Sequence, residues 1–132
     1  MIPRCISIRQ PWAWLICSGI KPIENRTWET AYRGPILIHA GLKAEKRDPD
    51  LMKFLKAQGT EPPAELELGG IVGQANLVDV VKVSKSPWFF GPLGFVLANA
   101  KPLPFIPSKG QLGIYYPDKD LIAELRKKGI IK

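Results

Sequence analysis

The sequence predicts an α+β fold, a small mixed β-barrel of about six strands with about three short flanking helices. Three observations lead there. Strand-like segments occur near both ends of the chain and through its middle. Three short segments carry helical periodicity with their own start and stop signals. The alternation of the two is too irregular for a doubly wound sheet. A chain of 132 residues has room for one domain, spanning 1–132. A domain of this size buries roughly two thirds of its unfolded surface, enough for a core without disulfide or metal staples.

The elements follow in order. Cys5 to Arg9 alternates apolar and polar residues, as a half-buried strand does. Pro11 is preorganised for a first helical position. Behind it Trp12, Leu15 and Ile16 form an i, i+3, i+4 stripe that Gly19 terminates. Lys21 to Trp28 reads as a strand with Glu24, Arg26 and Trp28 on one face and Ile23 and Asn25 on the other. Pro35 to Ala40 is a short apolar strand. Asp48 and Asp50 open an amphipathic helix through Leu51, Met52, Phe54 and Leu55, and Lys53 and Lys56 suit its C-terminal dipole. After the loop at 59–63, strand character returns from Ile71 to Val83. A Trp88-Phe89-Phe90-Gly91-Pro92 corner leads to a strand at 94–98, and Pro102, Pro104 and Pro107 confine the next segment to an edge. A last strand, 111–116, precedes a helix that Asp118 and Asp120 open and Gly129 closes.

Nineteen basic and twelve acidic side chains leave a net charge of +7. The excess sits in two blocks, residues 1–44 and 80–109, separated by an acidic middle. Such a pattern serves solubility, or a polyanion footprint if folding gathers both blocks on one face. Two cysteines and one histidine, without ligand spacing, give no metal site. No phosphate-binding or dinucleotide glycine pattern appears, so no cofactor is expected. The opening residues lack a signal-peptide run, and no stretch has the length of a membrane span. The expectation is a cytoplasmic chain with reduced thiols.

Ser7-Ile8-Arg9-Gln10-Pro11-Trp12-Ala13, followed by Gly19-Ile20-Lys21-Pro22-Ile23-Glu24-Asn25-Arg26-Thr27-Trp28, strongly resembles the ASCH family of the PUA-like superfamily. Tyr32-Arg33-Gly34, Leu37-Ile38-His39-Ala40-Gly41, Gly70-Ile71-Val72-Gly73, Ser86 to Pro92 and Gly110-Gln111-Leu112-Gly113 extend the match over nearly the whole chain. The resemblance implies a PUA-like barrel with a cleft formed by the first helix, the strand after Lys21 and neighbouring loops. It also implies RNA or modified bases as ligands. Some members have ribonuclease activity, and a related group deacetylates N4-acetylcytidine. In that group a nucleophilic threonine follows the lysine by three residues. Glu24 occupies that slot here, and the deacetylase reaction is not carried over.

Lys21, just after a helix stop and beside apolar walls, can lose proton affinity and act as a base, or stay charged and clamp phosphate. Glu24 can accept from an exocyclic amine, and Arg26 can hold phosphate or position the glutamate; a plain ion pair between them is the simpler alternative. Trp12 falls on the helix stripe, whereas Trp88, in its proline- and glycine-rich corner, is the rim position best suited to stack on a base. Gln10 caps the first helix or reads a base edge. His39 ends a buried strand as a structural residue or a cleft-edge partner of Lys21. Arg9, Arg33, Lys82, Lys85, Lys101 and Lys109 are candidate phosphate contacts.

The reading these residues favour is a binding module for single-stranded RNA or a modified nucleoside. One alternative is a metal-independent ribonuclease or nucleoside hydrolase using Lys21 with Glu24. Another is a coactivator-like adaptor that docks a protein partner through the acidic middle helix. No membrane partner is expected.

Overall fold

In the computed structural model, residues 2–132 are described. Nine elements follow one another: β1 (Arg4–Gln10), α1 (Trp12–Cys17), β2 (Ile23–Arg26), β3 (Gly34–Ala44), α2 (Pro49–Ala57), β4 (Gly70–Val81), β5 (Leu93–Pro107), β6 (Ile114–Tyr115) and α3 (Lys119–Lys127). The six strands form one sheet in the order β2-β5-β4-β3-β1-β6. It is mixed, because β1 runs parallel to β3 while every other pair is antiparallel. No helix of the described residues is long and apolar enough to cross a membrane.

The sheet curls into a half-barrel. β1 and β2 are separated in it by β5, β4 and β3, yet the Arg26 guanidinium of β2 donates to the Ser7 carbonyl of β1 at 2.8 Å. β6 pairs with β1 only at Cys5 and Ile6, so from Ser7 onward the outer edge of β1 is open. Arg26 reaches across that opening. The barrel of the expected fold is thus closed here by a side chain rather than by a strand ladder.

Each helix covers a different apolar surface. α1 fills the concave side, where Ala13, Ile16 and Cys17 join Ile6, Ile8, Ile36, Ile38 and Phe95 in the main core. α3 covers the convex side, with Leu121 and Leu125 packed on Cys5, Leu37, Ile71 and Tyr115. Leu55 of α2 meets Leu15, Ile23 and Trp88 in a third cluster. α1 lies close over Gly73 of β4: a Cβ there would overlap the Cys17 sulfur and stand 2.7 Å from the Lys101 carbonyl oxygen.

The terminal signals work as read. The Asp48 and Asp118 carboxylates accept the Leu51 and Leu121 amides at 2.9 and 2.8 Å, which are amides that no helix carbonyl can reach. Pro11 is the N-cap of α1 rather than its first helical residue, and the Gln10 side chain supplies the cap, its Oε1 accepting from the Trp14 amide at 2.8 Å. The strand expected at 21–28 narrows to Ile23–Arg26, and that at 111–116 to two residues. The two segments expected either side of Asn99 are one strand, β5. Its prolines are tolerated because β2 pairs only with Leu93 to Val96 and the Leu97 amide donates to the Pro22 carbonyl; past Leu97 no strand pairs with that side of β5, to which a missing N–H would matter.

Candidate functional site

The cleft forms where α1 and β2 face each other. Trp12, Lys21, Glu24, Asn25 and Phe90 line a cavity of about 190 Å³, below the range of roughly 300–1,000 Å³ typical for drug-sized ligands. A single ring system suits that space.

At its floor lies a charged chain. Lys21 is 2% exposed, because the turn after α1 folds the lysine stem back beneath Trp12. Its Nζ donates to the Ile23 carbonyl and to Glu24 Oε1, the latter at 3.0 Å. Glu24 Oε2 is 3.0 Å from Arg26 Nη2, the nitrogen that also bridges to β1. Glu24 and Arg26 share a strand face, as the period of two requires. Burial is the main reason the Lys21 ammonium is held below its usual range; Glu24 opposes that shift and Arg26 adds to it. The Trp12 ring centroid stands 5.6 Å from Nζ, within cation–π range. Arg26 Nε is buried without a partner, which leaves one donor beside the carboxylate unspent.

The mouth is aromatic, though through a different ring from the one expected. Trp88 is 4% exposed and packs in the core against Leu15, Ile23 and Leu55. It has no face to offer a base. Phe90, two residues on, is 59% exposed and rests edge-on against Phe54, which in turn rests on Trp88. Asn25 fixes this arrangement. Its Nδ2 donates to the Trp88 carbonyl at 3.0 Å, and its Oδ1 accepts from the Phe90 and Gly91 amides at 2.8 and 3.2 Å. Asn25 and Phe90 are not legible as site residues in the sequence, because nothing in the Trp-Phe-Phe run says which ring faces out. That depends on an asparagine more than sixty residues away. Asn25→Ala is expected to cost about 1–3 kcal/mol and to raise hydrogen exchange at the Phe90 and Gly91 amides while leaving α3 unchanged.

Most other candidates lie elsewhere. Gln10 is buried with both ends of its amide committed, Oε1 to Trp14 N and Nε2 to the Glu67 carbonyl at 3.1 Å; it is a structural cap and cannot read a base edge. Arg9 pairs with Glu45 at 3.3 Å on the surface. Arg33 is exposed and donates to the Thr30 and Tyr32 carbonyls of its own turn. Lys85 is exposed in the segment leading to Phe90. Lys101 lines a separate groove with Arg126. His39 does not reach Lys21. It is buried on the convex face between Ser7 and Ser108, in the wall of a cavity that Lys109 shares. The two basic blocks therefore do not converge: among the cleft-lining residues Lys21 is the one cation, with Arg26 behind Glu24.

The family model for the ASCH domain matches residues 6–106. Activating signal cointegrator 1 of Homo sapiens is 29% identical over 97% of this chain, and its Mus musculus counterpart 28% identical over the same share. The chain spans 24% of the length of each. Among solved structures, the ASCH protein of Zymomonas mobilis superposes with a TM-score of 0.57 at 18% identity, covering 95% of this chain and 94% of that one. A variant of it gives 0.57 at 17% identity over 96% and 98%. At such identities the likeness shows the fold.

Proposed function

Because the chain belongs to the ASCH domain family, we propose that it binds single-stranded RNA or a modified nucleoside by taking one base into the cleft. The observation that carries this reading is the pairing of a buried, hydrogen-bonding floor with an exposed aromatic mouth. Lys21 and Glu24 set a donor and an acceptor 3.0 Å apart, and a base edge presents the complementary acceptor and donor. Phe90 offers the ring face, and stacking a base on it is worth roughly 1–3 kcal/mol. Lys85, exposed in the segment that leads to Phe90, would supply a cation for a flanking phosphate.

Titration of short single-stranded RNA, and of a panel of modified nucleosides, tests the reading. Phe90→Ala should weaken binding by about 1–3 kcal/mol. Lys21→Met should abolish selectivity among bases. For RNA the logarithm of affinity should fall with the logarithm of salt by roughly 0.7 per phosphate contact. An affinity indifferent to salt and to Phe90 would rule the reading out.

A ribonuclease reading draws on the lowered proton affinity of Lys21, the direction in which a lysine must move to serve as a general base. Labelled RNA incubated with the wild type and with Lys21→Met distinguishes the two: cleavage that survives the substitution argues against it.

A further inference from the structure

A second polar constellation lies on the convex face, outside the cleft. Ser7 and His39 are partners in the parallel β1–β3 register, and Ser7 Oγ is 2.9 Å from His39 Nδ1. The other ring nitrogen, Nε2, is 2.9 Å from the Ser108 carbonyl oxygen. A carbonyl can only accept, so Nε2 carries the proton of the neutral ring. Nδ1 is then the acceptor, and the Ser7 hydroxyl donates to it. A hydroxyl on a base whose tautomer a third group fixes is the arrangement that activates nucleophiles.

The histidine of this pair forms part of a cavity wall, and Ser7 beside it is half-buried. His39, Gly41, Ser108, Lys109 and Gly110 line a cavity of about 770 Å³ together with Leu42 and Pro107. The two glycines border the pair. A Cβ at Gly41 would stand 3.4 Å from Ser7 Oγ, and one at Gly110 3.0 Å from the same oxygen and 2.7 Å from His39 Cε1. Neither position carries a side chain to cap the hydroxyl. Ser108 Oγ, beside the imidazole, is buried with no partner, an unspent polar group at the same wall.

We propose that Ser7 is an activated nucleophile, with His39 as its base and the Ser108 carbonyl as orienter, in a second site for small carboxylic esters or thioesters. Ser7 Oγ attacks the acyl carbon while its proton passes to His39 Nδ1. The bond to the leaving alcohol or thiol breaks, and that group takes the proton back from His39. Water then repeats the sequence and frees the acid. Leu42 and Pro107 favour a short apolar acyl group. Lys109, the one cation among the lining residues, is available to the oxygen that becomes negative.

A tagged fluorophosphonate is the probe, with the labelled position mapped by mass spectrometry of the tryptic peptide Cys5–Arg9. Cys5 in that peptide is a poor competitor, since burial pushes its thiol up to about 12. The expected result is label on Ser7 that Ser7→Ala abolishes and His39→Gln slows by about 100-fold. Gly41→Val, which leaves the hydrogen bond intact and covers the hydroxyl, should block labelling at unchanged melting temperature. If His39→Gln fails to fold, the Gly41 variant decides. No label on Ser7 in the wild type, or wild-type labelling in folded Gly41→Val, overturns the proposal.

Discussion

Glu24→Ala is expected to destabilise the chain by about 3–5 kcal/mol at neutral pH, because it strands a buried charge. The carboxylate is the partner of both Lys21 and Arg26, and the Lys21 side chain is 2% exposed. With Glu24 gone, burial and Arg26 both act against the ammonium, and only the neutral Ile23 carbonyl and the Trp12 ring are left to favour it. Replacing both partners by apolar residues, Lys21→Met with Glu24→Leu, should restore most of the loss, since a buried ion pair is often no more stable than a hydrophobic pair of similar volume. Denaturant melts of the wild type and the two variants check this. The double variant should fold and yet bind no base, which would place the pair's purpose in recognition rather than stability. The wild type also carries a pH signature. Its lysine binds its proton less tightly than the ordinary value of 10.5, so between the lowered value and 10.5 the unfolded chain holds more protons than the folded one. Stability from Lys21 therefore rises with pH across that window and levels off above it. Lys21→Met retains Cys5, Cys17 and Tyr115, whose raised values act in the opposite direction; the difference between the two proteins isolates the lysine.

Gly73→Ala should cost about 3 kcal/mol or more, at or beyond the upper end for overpacking. The new Cβ has no route of relief: it meets Cys17 of α1 on one side and the Lys101 carbonyl of β5 on the other. Placed in a Cys17→Ala background, the substitution should recover only part of the loss, because the backbone oxygen remains 2.7 Å away. Full recovery would mean that the sulfur alone sets the approach of α1 to the sheet.

How far the sequence reaches depends on whether the information is local. Helix caps at Asp48 and Asp118 are legible because the carboxylate and the amide it satisfies lie three residues apart. The shared face of Glu24 and Arg26 is legible because it follows from strand periodicity. The half-barrel itself could be named from the order of strands and helices, but its seam could not, since Arg26 and Ser7 are brought together by the curl of the whole sheet. The same reason accounts for Trp88. Its proline- and glycine-rich surroundings read as a surface corner, while Phe54 and Leu55, more than thirty residues earlier, bury it. Of the two readings of His39, its position excludes the partnership with Lys21: its strand is legible, but the partners of its ring come from β1 and from the loop at Ser108. Charge blocks proved the least informative, because a lysine's place on the surface is set by loops whose paths no periodicity records.

The account stands on a base entering between Trp12 and Phe90 above the Lys21–Glu24 pair. Nuclear magnetic resonance of the isotopically labelled chain, titrated with a short single-stranded RNA, tests that most directly. Saturable shifts should centre on the Trp12 indole, the Asn25 side-chain amide and the amides of Glu24 and Phe90. Shifts that instead follow α2, or that scatter over surface lysines and vanish together at moderate salt with the cleft signals unmoved, would contradict it.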